Sequence, residues 1–290
     1  MERTIPPPHP DPHPPRVFTP PPGACDAHCH VFGPADRFPF SPTRRYTPPD
    51  AGVDDLDRLQ ARLGLSRAVL VQASCHGTDN AALLDALRHG GGRYAGVAMI
   101  DDDTGDAELD ELHEAGVRGA RVNFVAHLGG APDADRLDRT VARLAPRGWH
   151  LVCHFDAADL PAWAGVLDRL PCPFVIDHMA RVDAAGGLDQ APFRALLRLL
   201  ADDRCRVKVS GAERLTAGGA PPYDDVVPYV RELIAAAPDR VLWGTDWPHP
   251  NVRHVPDDGD LLDLLADFAP DEATRHRILV DNPARLYDFA

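Results

Sequence analysis

Five side chains suited to acid–base or metal chemistry stand at or just beyond the ends of short apolar runs: His28, His30, His154, His178 and Asp246. His28 and His30 flank Cys29, and side chains alternate along an extended strand, so both imidazoles project to the same side. Two rings so placed can chelate one ion or grip one substrate oxygen. Asp246 precedes Trp247-Pro248. There it could cap a loop, bind a metal or take a proton from water. Alone, a His-x-His or a strand-end Asp signals little. Five such groups converging on strand ends define a candidate site.

The elements that would position them are legible from hydropathy. Apolar runs fall at 24–27, 68–73, 94–100, 119–124, 150–153, 174–176, 206–209 and 241–243. Amphipathic stretches separate them at 54–65, 80–89, 107–115, 135–147, 159–170, 192–201 and 224–236, with a last one at 259–268. Continuous apolar strands alternating with helices imply a parallel sheet covered on both faces. Eight such units predict an α/β fold, a (β/α)8 TIM barrel forming one domain over 23–290. A doubly wound sheet is the alternative, but no Gly-rich phosphate loop follows any strand. In a barrel, reactive groups belong at the C-terminal strand ends. There the chain places His28 and His30 (strand 1), Ser74, Cys75 and His76 (strand 2), Arg121 and Asn123 (strand 4) and His154 (strand 5). Asp177 and His178 follow strand 6, Ser210 and Arg214 strand 7, and Asp246 strand 8. Residues 1–22 contain ten prolines and are predicted to form an extended arm without helix or packed core, with His9 and His13 solvated.

Composition narrows the partners. The 290 residues carry 30 basic against 44 acidic groups, a formal charge of −14, which argues against a nucleic-acid partner. No run approaches the roughly 18 apolar residues of a membrane span, and the N-terminus lacks the order of a signal peptide. The six cysteines form no C-x-x-C pair and read as reduced, buried thiols of a cytoplasmic protein. Cys75-His76 does not read as a nucleophile–base pair, because neighbouring side chains point apart, and no G-x-S-x-G elbow occurs. Lys208 is the only lysine.

Asp-Ala-His-Cys-His at strand 1, Trp-Gly-Thr-Asp-Trp-Pro-His-Pro at strand 8 and the closing Asp-Asn-Pro-Ala-Arg-Leu-Tyr resemble the amidohydrolase superfamily. Longer runs, among them DAHCHVFGPADRFPFSP, VQASCHGTDN, GVRGARVNFV, DHMARVD and DRVLWGTDWPHPN, resemble its pyrone-dicarboxylate lactonases over about residues 22–289. The resemblance implies a hydrolase of aromatic degradation in which water opens a small carboxylated lactone. It makes Asp246 the general base, with His28, His30 and His178 around the reacting carbonyl. It assigns Tyr46, Ser74, Arg121 and Arg214 to the substrate carboxylates, a role that suits Arg forks and hydroxyl donors. For Arg121 a structural ion pair inside the barrel is the alternative. Two positions depart from the pattern: His127 stands where those lactonases have a second Arg, and His154 where they have a Tyr. Both belong to the candidate substrate-binding set.

These lactonases work without a metal, and the expectation here is no cofactor. His154 keeps a second reading open, a mononuclear-zinc amidohydrolase or decarboxylase with metal on His28, His30, His154 and Asp246. A binuclear centre bridged by a strand-4 lysine is excluded, because Lys208 lies on strand 7. A third reading, a non-catalytic binder of small anions, leaves the carboxylate of Asp246 without a purpose.

Overall fold

A computed structural model describes residues 3–250 and 252–290. Eight parallel strands form one sheet: β1 Cys25–Cys29, β2 Arg67–Val71, β3 Tyr94–Ala98, β4 Val117–Asn123, β5 His150–His154, β6 Phe174–Ile176, β7 Cys205–Lys208 and β8 Val241–Leu242. They pair in chain order, and the amide of Ala27 donates to Trp243 O at 2.8 Å, which closes β8 onto β1. The protein is a (β/α)8 barrel.

The seam is built by Asp26. Its carboxylate accepts from the amides of His28 and Thr245 and from the Thr245 hydroxyl, at 3.0, 3.0 and 2.6 Å. Gly244 is required there: a Cβ would lie 2.4 Å from the His28 nitrogen. Burial pushes the Asp26 carboxyl up to about 6 against the pull of these donors.

Helices Val53–Leu63, Ala81–Gly90, Asp106–Glu114, Ala134–Leu144, Leu160–Leu167, Ala191–Leu199 and Val227–Ala236 cover the outside, each within a few residues of the expected stretch. Their apolar stripes face the strands; on Val53–Leu63 the buried positions are Leu56, Leu59, Gln60 and Leu63, the spacing of one helical face. Inside the barrel Cys25, Ala27, Val69, Val71, Ala95, Val97, Val152, Val175 and Leu242 pack on Tyr287 of the C-terminal helix Asn282–Tyr287. Above this aliphatic layer the inward positions are His154, Asp177 and Lys208, all buried and all ionisable. A barrel interior is ordinarily filled by branched aliphatics. Here its top layer is a charge network.

The described residues of the proline-rich arm, from residue 3 on, form no helix, as expected, but they pack on the barrel. Arg3–Thr4 pairs in parallel with Tyr46–Thr47, and Ile5 is buried. His13 is not solvated: its Nε2 lies 2.7 Å from Asp260 Oδ1, and the amides of Arg16 and Val17 donate to Asp263. Backbone donors left by a chain without regular structure need partners, and the acidic first helix after β8 supplies them.

Candidate active site

A register shift between Asp26 and Cys29 aims the β1 histidines. Below it Cys25 and Ala27 join the inner cluster; above it His28 and His30 point into the mouth, and Cys29 turns outward. Such bulges re-aim side chains beside sites. His28, His178 and Asp246 are each no more than 1% exposed and His30 is 2% exposed. The His28 ring lies 5.1 Å from His30 and 4.5 Å from His178, centroid to centroid. Asp246 Oδ1 sits among all three, 3.1 Å from His30 Nε2, 3.4 Å from His28 Nε2 and 3.8 Å from His178 Nε2.

Backbone conformation contributes. Residues 178–181 all have positive φ, with His178 at 49°, and Asp246 has φ 63°. Non-glycine residues hold this region only where the surroundings over-determine it, and such residues cluster at functional sites. Opposite this turn Gly211 has φ 81°, a conformation that L side chains rarely adopt.

The ring nitrogens are not equivalent, because their partners dictate the tautomer. His30 Nδ1 donates to Val71 O at 2.8 Å, so in the neutral ring Nε2 carries no proton, and its 3.1 Å contact with the Asp246 carboxylate is satisfied only by a proton or a water held between the two acceptors. His28 is the reverse: Lys208 Nζ lies 3.0 Å from its Nδ1, which must accept, and Nε2 carries the proton. His154 follows His28, for its Nδ1 accepts from the Arg121 guanidinium at 2.9 Å and its Nε2 has no partner among the described residues. His178 Nδ1 meets the Ser210 hydroxyl at 2.9 Å. Burial lowers the basicity of all four rings. His30 falls to about 3, and the others go well below the usual range, helped by Lys208 at His28, Arg121 at His154 and His28 at His178.

Asp177 ties the layer together. Its Oδ1 lies 3.2 Å from Lys208 Nζ and its Oδ2 3.3 Å from Arg121 Nε. Burial raises its carboxyl, but Lys208 and then Arg121 pull it down to about 2, so it stays ionised. Burial lowers Lys208, offset by Asp177.

The expected set is brought together in part. His28, His30, His178 and Asp246 form the floor. Arg214 reaches it from the short helix Ala212–Leu215: its Nε donates to Glu213 Oε1 at 3.0 Å and its NH2 pairs with Asp246 Oδ2. Arg121 is buried in the barrel, paired with Asp177 as in the alternative reading, and it also lines a cavity with Asn123 and Thr78. Tyr46 is buried, its hydroxyl bonded to Ser74 and Cys75, and burial keeps it protonated. Ser74, in a turn after β2, is half-buried, and His127, in the short 3-10 helix Ala126–Leu128 after β4, is exposed. The His127 ring stands edge-on to His154 at 6.4 Å. Sequence reasoning missed the supporting residues. Lys208, an only lysine on an apolar strand, and Asp177, adjoining His178, were the available signals. Glu213 and the buried His249–Asp258 pair, 3.0 Å apart beyond Asp246, left none.

The donor set does not suit the zinc site weighed above. Among the described residues, groups of metal-capable atoms within 4.8 Å of one another come from His28, His178 and Asp246, without His154, or from Glu213, Asp246 and His249. A ligating imidazole gives its other N–H to a carbonyl or carboxylate. His28 and His154 instead receive a proton donor from a cation, and a further cation, Arg214, already covers Asp246.

Fold and site together define the class: the chain belongs to the amidohydrolase family, whose profile matches residues 25–289. It is 47% identical to the 2-pyrone-4,6-dicarboxylate hydrolase of Comamonas testosteroni, over 93% of this chain and 92% of that protein. It is 42% identical to the 4-sulfomuconolactone hydrolase of Hydrogenophaga intermedia, over 94% and 91%. A crystal structure from Agrobacterium tumefaciens in its apo form superposes with a TM-score of 0.84 at 31% identity, covering 94% of this chain and 98% of that one.

Proposed function

We propose that the protein is a cytoplasmic, metal-independent lactonase that opens a small carboxylated lactone, 2-pyrone-4,6-dicarboxylate or a close analogue. One observation carries this reading. Around Asp246 Oδ1 the rings divide by tautomer, with His30 Nε2 an acceptor and His28 Nε2 a donor, 3.1 and 3.4 Å away. A water giving one hydrogen to Asp246 and the other to His30 has its lone pair aimed at a ring carbonyl. The N–H of His28, and that of His178 when Ser210 donates to its Nδ1, lie where the carbonyl oxygen becomes an anion. As water adds, Asp246 takes one of its protons; as the ring C–O bond breaks, the leaving oxygen recovers that proton, and the acyl carbon, left as a carboxylic acid, becomes a carboxylate by releasing the second water proton to solvent.

Neutral rings are what the buried floor enforces, so the donors act without carrying charge of their own. Arg214 and Arg121 have their remaining N–H donors to offer the substrate carboxylates, with Tyr46 and Ser74 as neutral ones. The two hydrolases named above act on carboxylated or sulfonated lactones by their names, which supports an anionic lactone here. Six free, buried cysteines suit a reducing compartment.

The test is a panel of pyrone carboxylates, muconolactones and neutral sugar lactones, with ring opening followed by absorbance or proton release before and after exhaustive chelation. Turnover of an anionic lactone, unchanged by chelation, is expected. Activity restored only by zinc would replace this reading with the mononuclear one.

A further inference from the structure

The chain spends its only lysine inside the barrel. Lys208 is fully buried on an inward position of β7, 3.2 Å from Asp177 Oδ1 and 3.0 Å from His28 Nδ1. A lysine ammonium has donors and no acceptor, so a ring nitrogen facing it at that distance must accept. The His28 proton is thereby placed on Nε2, the nitrogen facing Asp246. His30, two residues on, is held in the opposite tautomer by a backbone carbonyl. One strand therefore presents a donor and an acceptor to the same carboxylate oxygen, an asymmetry that identical side chains cannot create by themselves.

We propose that Lys208 is a positioning residue that fixes His28 as a hydrogen-bond donor and, by the same contact, withholds its Nε2 from metal ions. It touches no reacting atom; it acts through the ring. Asp177 makes the device sensitive to a single substitution. Its Oδ1 already lies 3.3 Å from His28 Nδ1. Once the ammonium is gone, that carboxylate becomes the nearest partner and draws the ring proton to Nδ1. Nε2 is then a bare lone pair beside Asp246, with its other nitrogen bonded to a carboxylate, the arrangement found behind metal-binding histidines. Asp177 keeps Arg121 in Lys208→Met, so its charge stays compensated.

The experiment is nitrogen-15 NMR of the histidine rings in the intact protein, with zinc titration by calorimetry. In the wild type His28 should show a protonated Nε2 and His30 a protonated Nδ1. In Lys208→Met the His28 proton should move to Nδ1 and the protein should gain one zinc site absent from the wild type. Lys208→Gln, whose amide still donates, should keep the wild-type tautomer and bind no zinc. The kinetic arm rests on the lactonase reading: Lys208→Met should lower kcat about a hundredfold, the cost of one oxyanion donor, with KM within a few-fold, and Lys208→Gln should recover most of it. A bare His28 Nε2 in the wild type overturns the proposal, whether or not the variants fold. So does a Lys208→Met protein that keeps its tautomer and binds no zinc. If the wild type opens no lactone, the NMR and zinc results still decide the role of Lys208.

Discussion

The floor and the rim of the barrel mouth are built differently. On the floor His28, His178, Lys208, Asp177 and Asp246 are almost wholly buried, and each is fixed from a strand, a turn or a charged neighbour. On the rim His127 is exposed, Ser74 half-buried, and Arg181 partly covered with an ion pair to Asp156 at 2.7 Å. The floor is preorganised, which is what stabilising a developing charge demands. The rim is adjustable. On the proposed function, reaction type belongs to the floor and substrate choice to the rim, so floor substitutions should change kcat and rim substitutions KM.

Asp246→Asn is the largest expected effect on that division. An amide cannot take the proton of water, and turnover should fall by at least about a hundredfold, the lower end for general-base catalysis, with substrate binding retained. Stopped-flow ring opening measures the first and equilibrium binding the second. Turnover near the wild-type rate would remove Asp246 from the mechanism.

Arg121 straddles the two regions. Arg121→Met takes one of two cations from Asp177, which keeps Lys208, and the donor from buried His154, and a buried acceptor left without its partner costs about 1–3 kcal/mol. The variant should therefore lose stability in urea titration as well as affinity. Unaltered stability with raised KM would make Arg121 a rim residue after all. Arg214→Met should act mainly on substrate. Losing a charge-assisted contact of about 1.5–3 kcal/mol should raise KM about ten- to a hundredfold for an anionic lactone. A neutral sugar lactone, read in parallel, should change by no more than a few-fold. Equal loss on both would show that Arg214 serves Asp246 rather than the substrate.

The barrel was legible because each buried strand is a short apolar run between amphipathic helices, a pattern that period and length decide. The floor of the candidate site was legible for a related reason: a barrel sends its strand ends to one place, so His28, His178 and Asp246 could be grouped without knowing any distance. What stayed hidden was tautomer and pairing. That Lys208 on β7 meets His28 on β1 depends on barrel closure, a contact between residues 180 apart in sequence that no local pattern encodes. Arg121 illustrates the limit from the other side. Its position at a strand end favoured a substrate role over an internal ion pair, and the 3.3 Å contact with Asp177 adds the pair without removing that role. The short helix carrying Glu213 and Arg214 has four residues, too few for periodicity to register. The arm misled for want of partners in its own sequence; those lie some 245 residues away, in Asp257, Asp260 and Asp263.

The smallest effect concerns His127, where the rim departs from the lactonases the chain resembles. Partial burial and the nearby Arg181 lower its basicity below the ordinary histidine value of 6.5. It is therefore neutral at pH 8, and its proton arrives only as pH falls below that value. The carboxylates of a pyrone, with ordinary pKa values near 4, remain ionised throughout that range. Affinity for a dicarboxylate should then rise as pH is lowered from 7 to 5.5, whereas a monocarboxylate bound away from His127 should show no such gain. His127→Arg supplies the charge at every pH. It should bind the dicarboxylate up to about tenfold more tightly at pH 8, the worth of one modest charge-assisted contact, and its pH profile should be flat. Kd by calorimetry at both pH values checks each arm. A wild type whose affinity is level from pH 8 to 5.5, together with a His127→Arg variant no tighter at pH 8, would mean that the substrate presents nothing anionic to this side of the rim. The second acidic group would then have to be sought against Tyr46 and Ser74.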